Sequence, residues 1–170
     1  MTTDSVKPVV LNAWAICLQA REEARRRGDR RVGTDDILLA LFEDPSIEAI
    51  VGASLAQARE AIDALDREAL IAVGLGSTAD APPLAMRSVP KNPRLRDVAQ
   101  KDRLRMSPAA KKVLEDAAKC NRRRLNVTAH QVLNQILELQ SPDPATALLV
   151  ALGVNTSEAR GRLDLRTTDD

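Results

Sequence analysis

Val32-Gly33-Thr34-Asp35-Asp36-Ile37-Leu38 and, 95 positions later, Val127-Thr128-Ala129-His130-Gln131-Val132-Leu133 are built to one plan. Each places a lone Val before a short polar turn and then a run of paired apolar residues. Thr34 is a good helix N-cap, because its oxygen can accept an orphan backbone N–H, and Asp35 and Asp36 suit the positive first turn. The spacing predicts a helix from Thr34 whose buried face is Ile37, Leu38, Leu41 and Phe42, closed by Pro45. Its counterpart runs through Val132, Leu133, Ile136 and Leu137. Few residues are identical between the two stretches, but the order of elements around them is shared.

Upstream of the first stretch, Ile16, Cys17, Ala20 and Ala24 form one apolar stripe from Ala13, and Gly28 is a fitting C-cap after Arg25-Arg26-Arg27. Downstream, Ser46 can cap a short helix through Ile47, Ile50 and Val51, and Leu55, Ala58, Ile62 and Leu65 give a fourth. In the second half, Ser107-Pro108 is a preferred helix entry, and Ala110, Val113, Leu114 and Ala117 carry the stripe toward Arg122-Arg123-Arg124. A Pro142/Pro144 break, a helix from Ala145 to Leu152 capped by Gly153, and a last helix from Ser157 to Leu163 complete the series. Two four-helix units that cannot each close a core should pack face to face. The expected fold is therefore all-α, two pseudo-twofold four-helix repeats forming one bundle. Repeat one spans 9–72, a linker 73–105, repeat two 106–165, and a frayed tail 166–170.

Composition agrees with a helical domain and removes several functions. Of 170 residues 44% are hydrophobic, yet Trp14 and Phe42 are the only aromatics and Tyr is absent, which favours helices over sheets. The formal net charge of +1 gives no whole-molecule field for nucleic acid or membranes. A single histidine, His130, excludes a multi-histidine metal site, and Cys17 and Cys120 lack a C-x-x-C spacing, so no cofactor is expected. Both cysteines read as buried thiols of a reducing compartment, and no apolar run reaches the length of a membrane span, which places the protein in the cytoplasm. Local charge is concentrated between Arg87 and Arg105, where seven basic residues face Asp97 and Asp102, a net +5. This segment supports an alternative function, a helical nucleic-acid-binding regulator.

Several short segments together resemble the N-terminal domain of the Clp ATPases, closest to the ClpC type, over nearly the whole chain. Glu22-Glu23-Ala24-Arg25-Arg26 is similar to that family's Glu-Glu-Ala-Arg-Arg, and Val32-Gly33-Thr34-Asp35-Asp36-Ile37-Leu38-Leu39 to its Ile-Gly-Thr-Glu-His-Leu-Leu-Leu. Ser107-Pro108-Ala109-Ala110-Lys111-Lys112-Val113-Leu114-Glu115 is similar to Thr-Pro-Arg-Ala-Lys-Lys-Val-Leu-Glu, and Leu152-Gly153-Val154 to the turn before the last helix. The resemblance implies a non-enzymatic module that receives protein substrates, adaptors or peptide ligands for a ClpC-type ATPase and protease. The chain holds no Gly-Lys pair and hence no phosphate-cradling P-loop, so its part would be that of adaptor, competitor or ligand-sequestering decoy.

The same resemblance implies a ligand face. The family's carboxylate for the guanidinium of a phosphoarginine mark falls at Asp35 in the first half and at His130 in the second, with Thr34, Asp36 and Gln131 beside them. A carboxylate suits a guanidinium because it accepts two parallel N–H bonds. The family's apolar and basic positions around the first helix of each half fall at Val9 and Trp14, and at Met106 and Lys111. Phosphoarginine-marked proteins or cyclic peptide compounds are the implied ligands, with a homodimer left open. The residues themselves admit plainer readings: Asp35 and Asp36 as helix-dipole partners, His130 as a helix-start residue, Trp14 as core or half-buried, and the arginine clusters as C-terminal caps.

Overall fold

The computed structural model describes residues 12–74, 104–120 and 127–167. Among these the chain forms α1 (Ala13–Arg27), β1 (Arg31–Val32), α2 (Thr34–Leu41), α3 (Pro45–Val51) and α4 (Leu55–Ala72). It continues with β2 (Arg105–Met106), α5 (Pro108–Cys120), α6 (Ala129–Leu137), α7 (Pro144–Ala151) and α8 (Thr156–Thr167). The fold is an all-α bundle with one pair of two-residue strands.

The predicted starts and stops are mostly physical ones. Asn12 caps α1, its side chain accepting the Ala15 N–H at 2.9 Å, and Gly28 ends it at φ +78°, a conformation glycine adopts without cost. Ser107 opens α5 by accepting the Ala110 N–H at 3.1 Å. Three cap assignments differ from expectation. Gly33, not Thr34, is the N-cap of α2; Asp44, not Ser46, caps α3; and Pro45 is the first residue of α3 rather than the end of α2. The last helix runs on to Thr167, past the expected start of the tail.

α2 is the centre of the molecule. All eight of its residues are buried, and it touches α1, α4, α5, α6 and α7. Ile16, Ile37, Leu38, Leu41, Leu133, Ile136, Leu148 and Leu149 are fully buried in one continuous core. Contacts between the two runs of helices cross over: α3 lies against α8, and α4 against α7. β1 and β2 pair in parallel, Arg31 opposite Arg105 and Val32 opposite Met106, and the Ser107 N–H continues the ladder to the Val32 carbonyl at 2.8 Å. Strands of two residues carry no readable period, so the sequence did not announce them. They place Arg105, expected in the linker, inside the ordered fold.

α8 is fastened by two arginines that serve as remote C-caps. Arg160 donates to the Leu137 carbonyl at the end of α6 (2.6 Å), and Arg162 to the Ile50 carbonyl near the end of α3 (3.2 Å). Both meet carbonyls that the helix itself leaves unpaired, where positive charge is favoured.

Candidate ligand-binding face

The Gly33–Asp36 turn carries a dense ionic cluster. Arg27, in the last turn of α1, has a side chain only 10% exposed and reaches four carboxylates. Its Nη1 lies 2.5 Å from Asp35, 3.4 Å from Asp36 and 3.3 Å from Asp29, and its Nη2 lies 3.0 Å from Asp66 on α4. Asp36 also folds back to accept the Gly33 N–H at 2.8 Å. Asp35 sits so close that a Cβ on Gly33 would meet its Oδ1 at 2.1 Å, so any larger residue at position 33 would have to displace that carboxylate. The carboxylate that the Clp resemblance assigns to an incoming guanidinium is thus buried and already holds one from its own chain.

Burial pushes the Asp36 carboxyl up to about 7; neighbouring Asp35 adds to the rise, while the Gly33 N–H and Arg27 oppose it. The same surroundings hold Arg27 firmly charged, its pairing with Asp35 outweighing the cost of burial. Because the folded-state value of Asp36 lies above its unfolded one, the folded state keeps a proton that the unfolded chain has released, and stability falls as pH rises from about 4 to 7. Asp36→Asn keeps an oxygen for Gly33 and removes that penalty. The variant should melt several degrees above the parent at pH 8 and close to it only near pH 3, below the unfolded value; a lower melting temperature at pH 8 would show that the ionised carboxylate is the stabilising form.

A second ionic group lies one turn back on α1. Glu23, 3% exposed, takes Arg26 at 3.1 Å and Arg59 of α4 at 3.2 Å. Burial alone would raise its carboxyl, but hydrogen bonds and charge from Arg59 and Arg26 prevail and hold it below the usual range. Arg59, Asp63 and Asp66, spaced along one face of α4, therefore meet Glu23, Arg26 and Arg27 of α1. These ion pairs link the two helices above the shared apolar core.

The remaining polar positions are drawn into bonds across the bundle. Thr34 donates its hydroxyl to Asp143, the N-cap of α7, at 2.7 Å. In the second run, His130 Nε2 lies 2.8 Å from Ser46 Oγ, and Ser46 donates to Asp44, the N-cap of α3, at 2.7 Å. With its one hydroxyl proton given to Asp44, Ser46 must accept from His130, so Nε2 carries the proton. That polarity is the reverse of what a serine nucleophile needs, since the ring would have to take the hydroxyl proton. Gln131 is spent on its own helix start, accepting the Thr128 N–H at 3.1 Å while Thr128 accepts the Gln131 N–H at 3.3 Å.

The apolar and basic positions are placed differently. Trp14 is 66% exposed, not core, because it sits two residues from Ile16 and so points away from the buried stripe. Lys111 extends into solvent with a loose pair to Glu115 at 3.5 Å, and Met106 is half-buried opposite Val32. Val9, the basic run Arg122–Arg124 and nearly all of the expected linker lie outside the described residues. Cys17 is half-buried, and burial pushes its thiol up despite nearby Arg21, which leaves it a poor nucleophile. A cleft of about 360 Å³ opens between α5 and α6, over Val113 and beside Lys112, Asp116, Gln135 and Glu138. None of the expected ligand residues lines it.

Two features escaped the sequence reading. In the sequence Arg27 reads only as one of three capping arginines, whereas its partners at positions 29, 35, 36 and 66 make it the hub of the turn. Leu18 is 44% exposed one helical turn from Trp14, a spacing that the sequence does display. Among the described residues no cluster of His, Cys, Asp or Glu could hold a metal ion, and no helix is long and apolar enough to cross a membrane. Compared with known proteins, the chain matches no family model and no curated protein sequence.

Proposed function

We propose that this protein is a Clp N-domain-like binding module that engages protein substrates, adaptors or peptide ligands of a ClpC-type ATPase and protease, without chemistry of its own. The observation that carries the reading is a repeated turn. At Gly33–Asp36 and at Thr128–Gln131, 95 positions apart, the third helical side chain folds back to the N-cap N–H. The helix so opened then sends its first or second residue to the N-cap region of the other run's third helix, by Thr34 to Asp143 and by His130 through Ser46 to Asp44. Together with the crossed contacts of α3 with α8 and α4 with α7, this supports two related four-helix units and hence the segments on which the resemblance rests.

Within this reading Trp14 and Lys111 are the exposed candidates for ligand contact, while the Asp35 carboxylate is paired with Arg27. Ligands withdrawn from, or delivered to, a full-length ATPase would give the competitor, decoy and adaptor roles alike. The test is affinity recovery from the source cell extract at low and high salt, with Trp14→Ala and Lys111→Glu alongside. Both substitutions fall on exposed side chains, which ordinarily shift stability by less than about 0.5 kcal/mol. Salt-resistant recovery of a Clp ATPase or its clients, reduced by either variant, is the expected result. Recovery of nucleic acid that disappears at high salt would overturn the proposal and transfer the function to the basic segment 87–105.

A further inference from the structure

α1 carries two seams on opposite sides. Steps of four, three and four residues connect Ile16, Ala20, Glu23 and Arg27, all facing the bundle, and the same steps connect Trp14, Leu18, Arg21 and Arg25 on the outside. At 3.6 residues per turn each set lies within a narrow arc of the helix, and the two arcs are about half a turn apart. Trp14 and Leu18 are 66% and 44% exposed, an apolar pair that nothing among the described residues covers. Arg21, half-buried with its Nε shielded from solvent, and the exposed Arg25 follow on the same line. Glu22, paired with Arg25, stands at the edge of the arc.

We propose that this outer seam docks an acidic amphipathic helix of a partner protein, its apolar residues covering Trp14 and Leu18 and its carboxylates meeting Arg21 and Arg25. The spacing is that of one helix laid along another, where rows of side chains three and four residues apart interlock. The charge decides the partner's sign, because guanidinium groups beside an apolar patch recruit carboxylates and repel a basic helix. A second copy of this chain fits poorly: turned either way it brings arginines against arginines or against Trp14 and Leu18, never against a carboxylate of the same seam. A lipid surface fits no better, since the opposite seam of α1 is committed to the core and two apolar side chains give little area to insert. The inference narrows the proposed binding role to one face and one partner chemistry, and rests on the view that the domain is a binding module.

Trp14 is the only tryptophan in the chain, so its fluorescence reports this face directly. The probes are two synthetic helical peptides, one with a Leu pair followed by a Glu pair at the four-three-four spacing and one in the reversed order, each with a Lys-for-Glu control. At least one Glu peptide should shift the Trp14 emission to the blue with saturation. Its affinity should drop at least tenfold for the Lys control and for Leu18→Asp, and weaken in high salt, where exposed ion pairs are screened. Equal response to the Lys control, or no shift with either Glu peptide, overturns the proposal. So does a blue shift that grows with protein concentration alone, which would mark self-association, or one produced by phosphatidylglycerol vesicles. The peptides contain no Clp sequence, so binding here without recovery of a Clp protein from extract would defeat the Clp reading and leave this one standing.

Discussion

Replacing Arg27 by Met should lower the melting temperature by roughly 10 °C at pH 8, the equivalent of about 3–5 kcal/mol in a chain of this size. Methionine keeps much of the side-chain length but leaves Asp35 and Asp36, 7% and 1% exposed, without their cation. Removing one member of a buried ion group costs far more than the group contributed, because the remaining charge stays desolvated. The loss should depend on pH in a definite direction. In the variant Asp36 loses the charge of Arg27 that opposes its raised carboxyl, so its folded value rises further above the unfolded one, and more stability is lost as pH climbs from about 4 through that raised value. The gap between variant and parent should therefore narrow on acidification toward pH 4.5. Differential scanning across that range decides the matter, and a gap independent of pH would mean that Arg27 acts through packing alone.

Leu38→Ala should cost a similar amount, about 3–5 kcal/mol, with no such pH dependence. Leu38 is fully buried in the helix that touches five others, so no neighbouring side chain can collapse into the space without disturbing several contacts. Urea titration should show a lower midpoint at unchanged slope, as expected when a cavity weakens the folded state without altering the surface exposed on unfolding. A cost below 1 kcal/mol would mean that the core repacks around α2 and that its burial is less restrictive than the geometry indicates. The contrast with Leu18 is instructive: the same residue type on the outer seam of α1 is 44% exposed, and its truncation should scarcely move the midpoint.

The all-helical architecture was legible because its signals are local. Ala13 to Gly28 contains its own stripe and terminator, and Ser107-Pro108 announces α5 without reference to anything distant. Failures came where a polar side chain had two uses. Thr34 has the chemistry of an N-cap, but its hydroxyl is taken by Asp143, more than one hundred positions along the chain, and Gly33 takes the cap position instead. Asp44 displaces Ser46 for a related reason, because Ser46 links that cap to His130. At Asp35 the residue type was informative and the partner was not: an acidic residue at a helix start suits either a ligand's guanidinium or one from the same chain. Eight positions of separation from Arg27 follow no helical spacing that would have joined them in the sequence.

The complete enclosure of α2 also governs the order of events during synthesis. Its apolar residues leave the ribosome well before α6 and α7, which supply much of their cover. At about 5–20 residues per second, the nascent first half must wait roughly ten seconds with Ile37, Leu38 and Leu41 incompletely sheltered. Truncation between the two runs would make that interval permanent, so translation that stalls in the segment between α4 and α5 yields a species prone to aggregate rather than a smaller working domain.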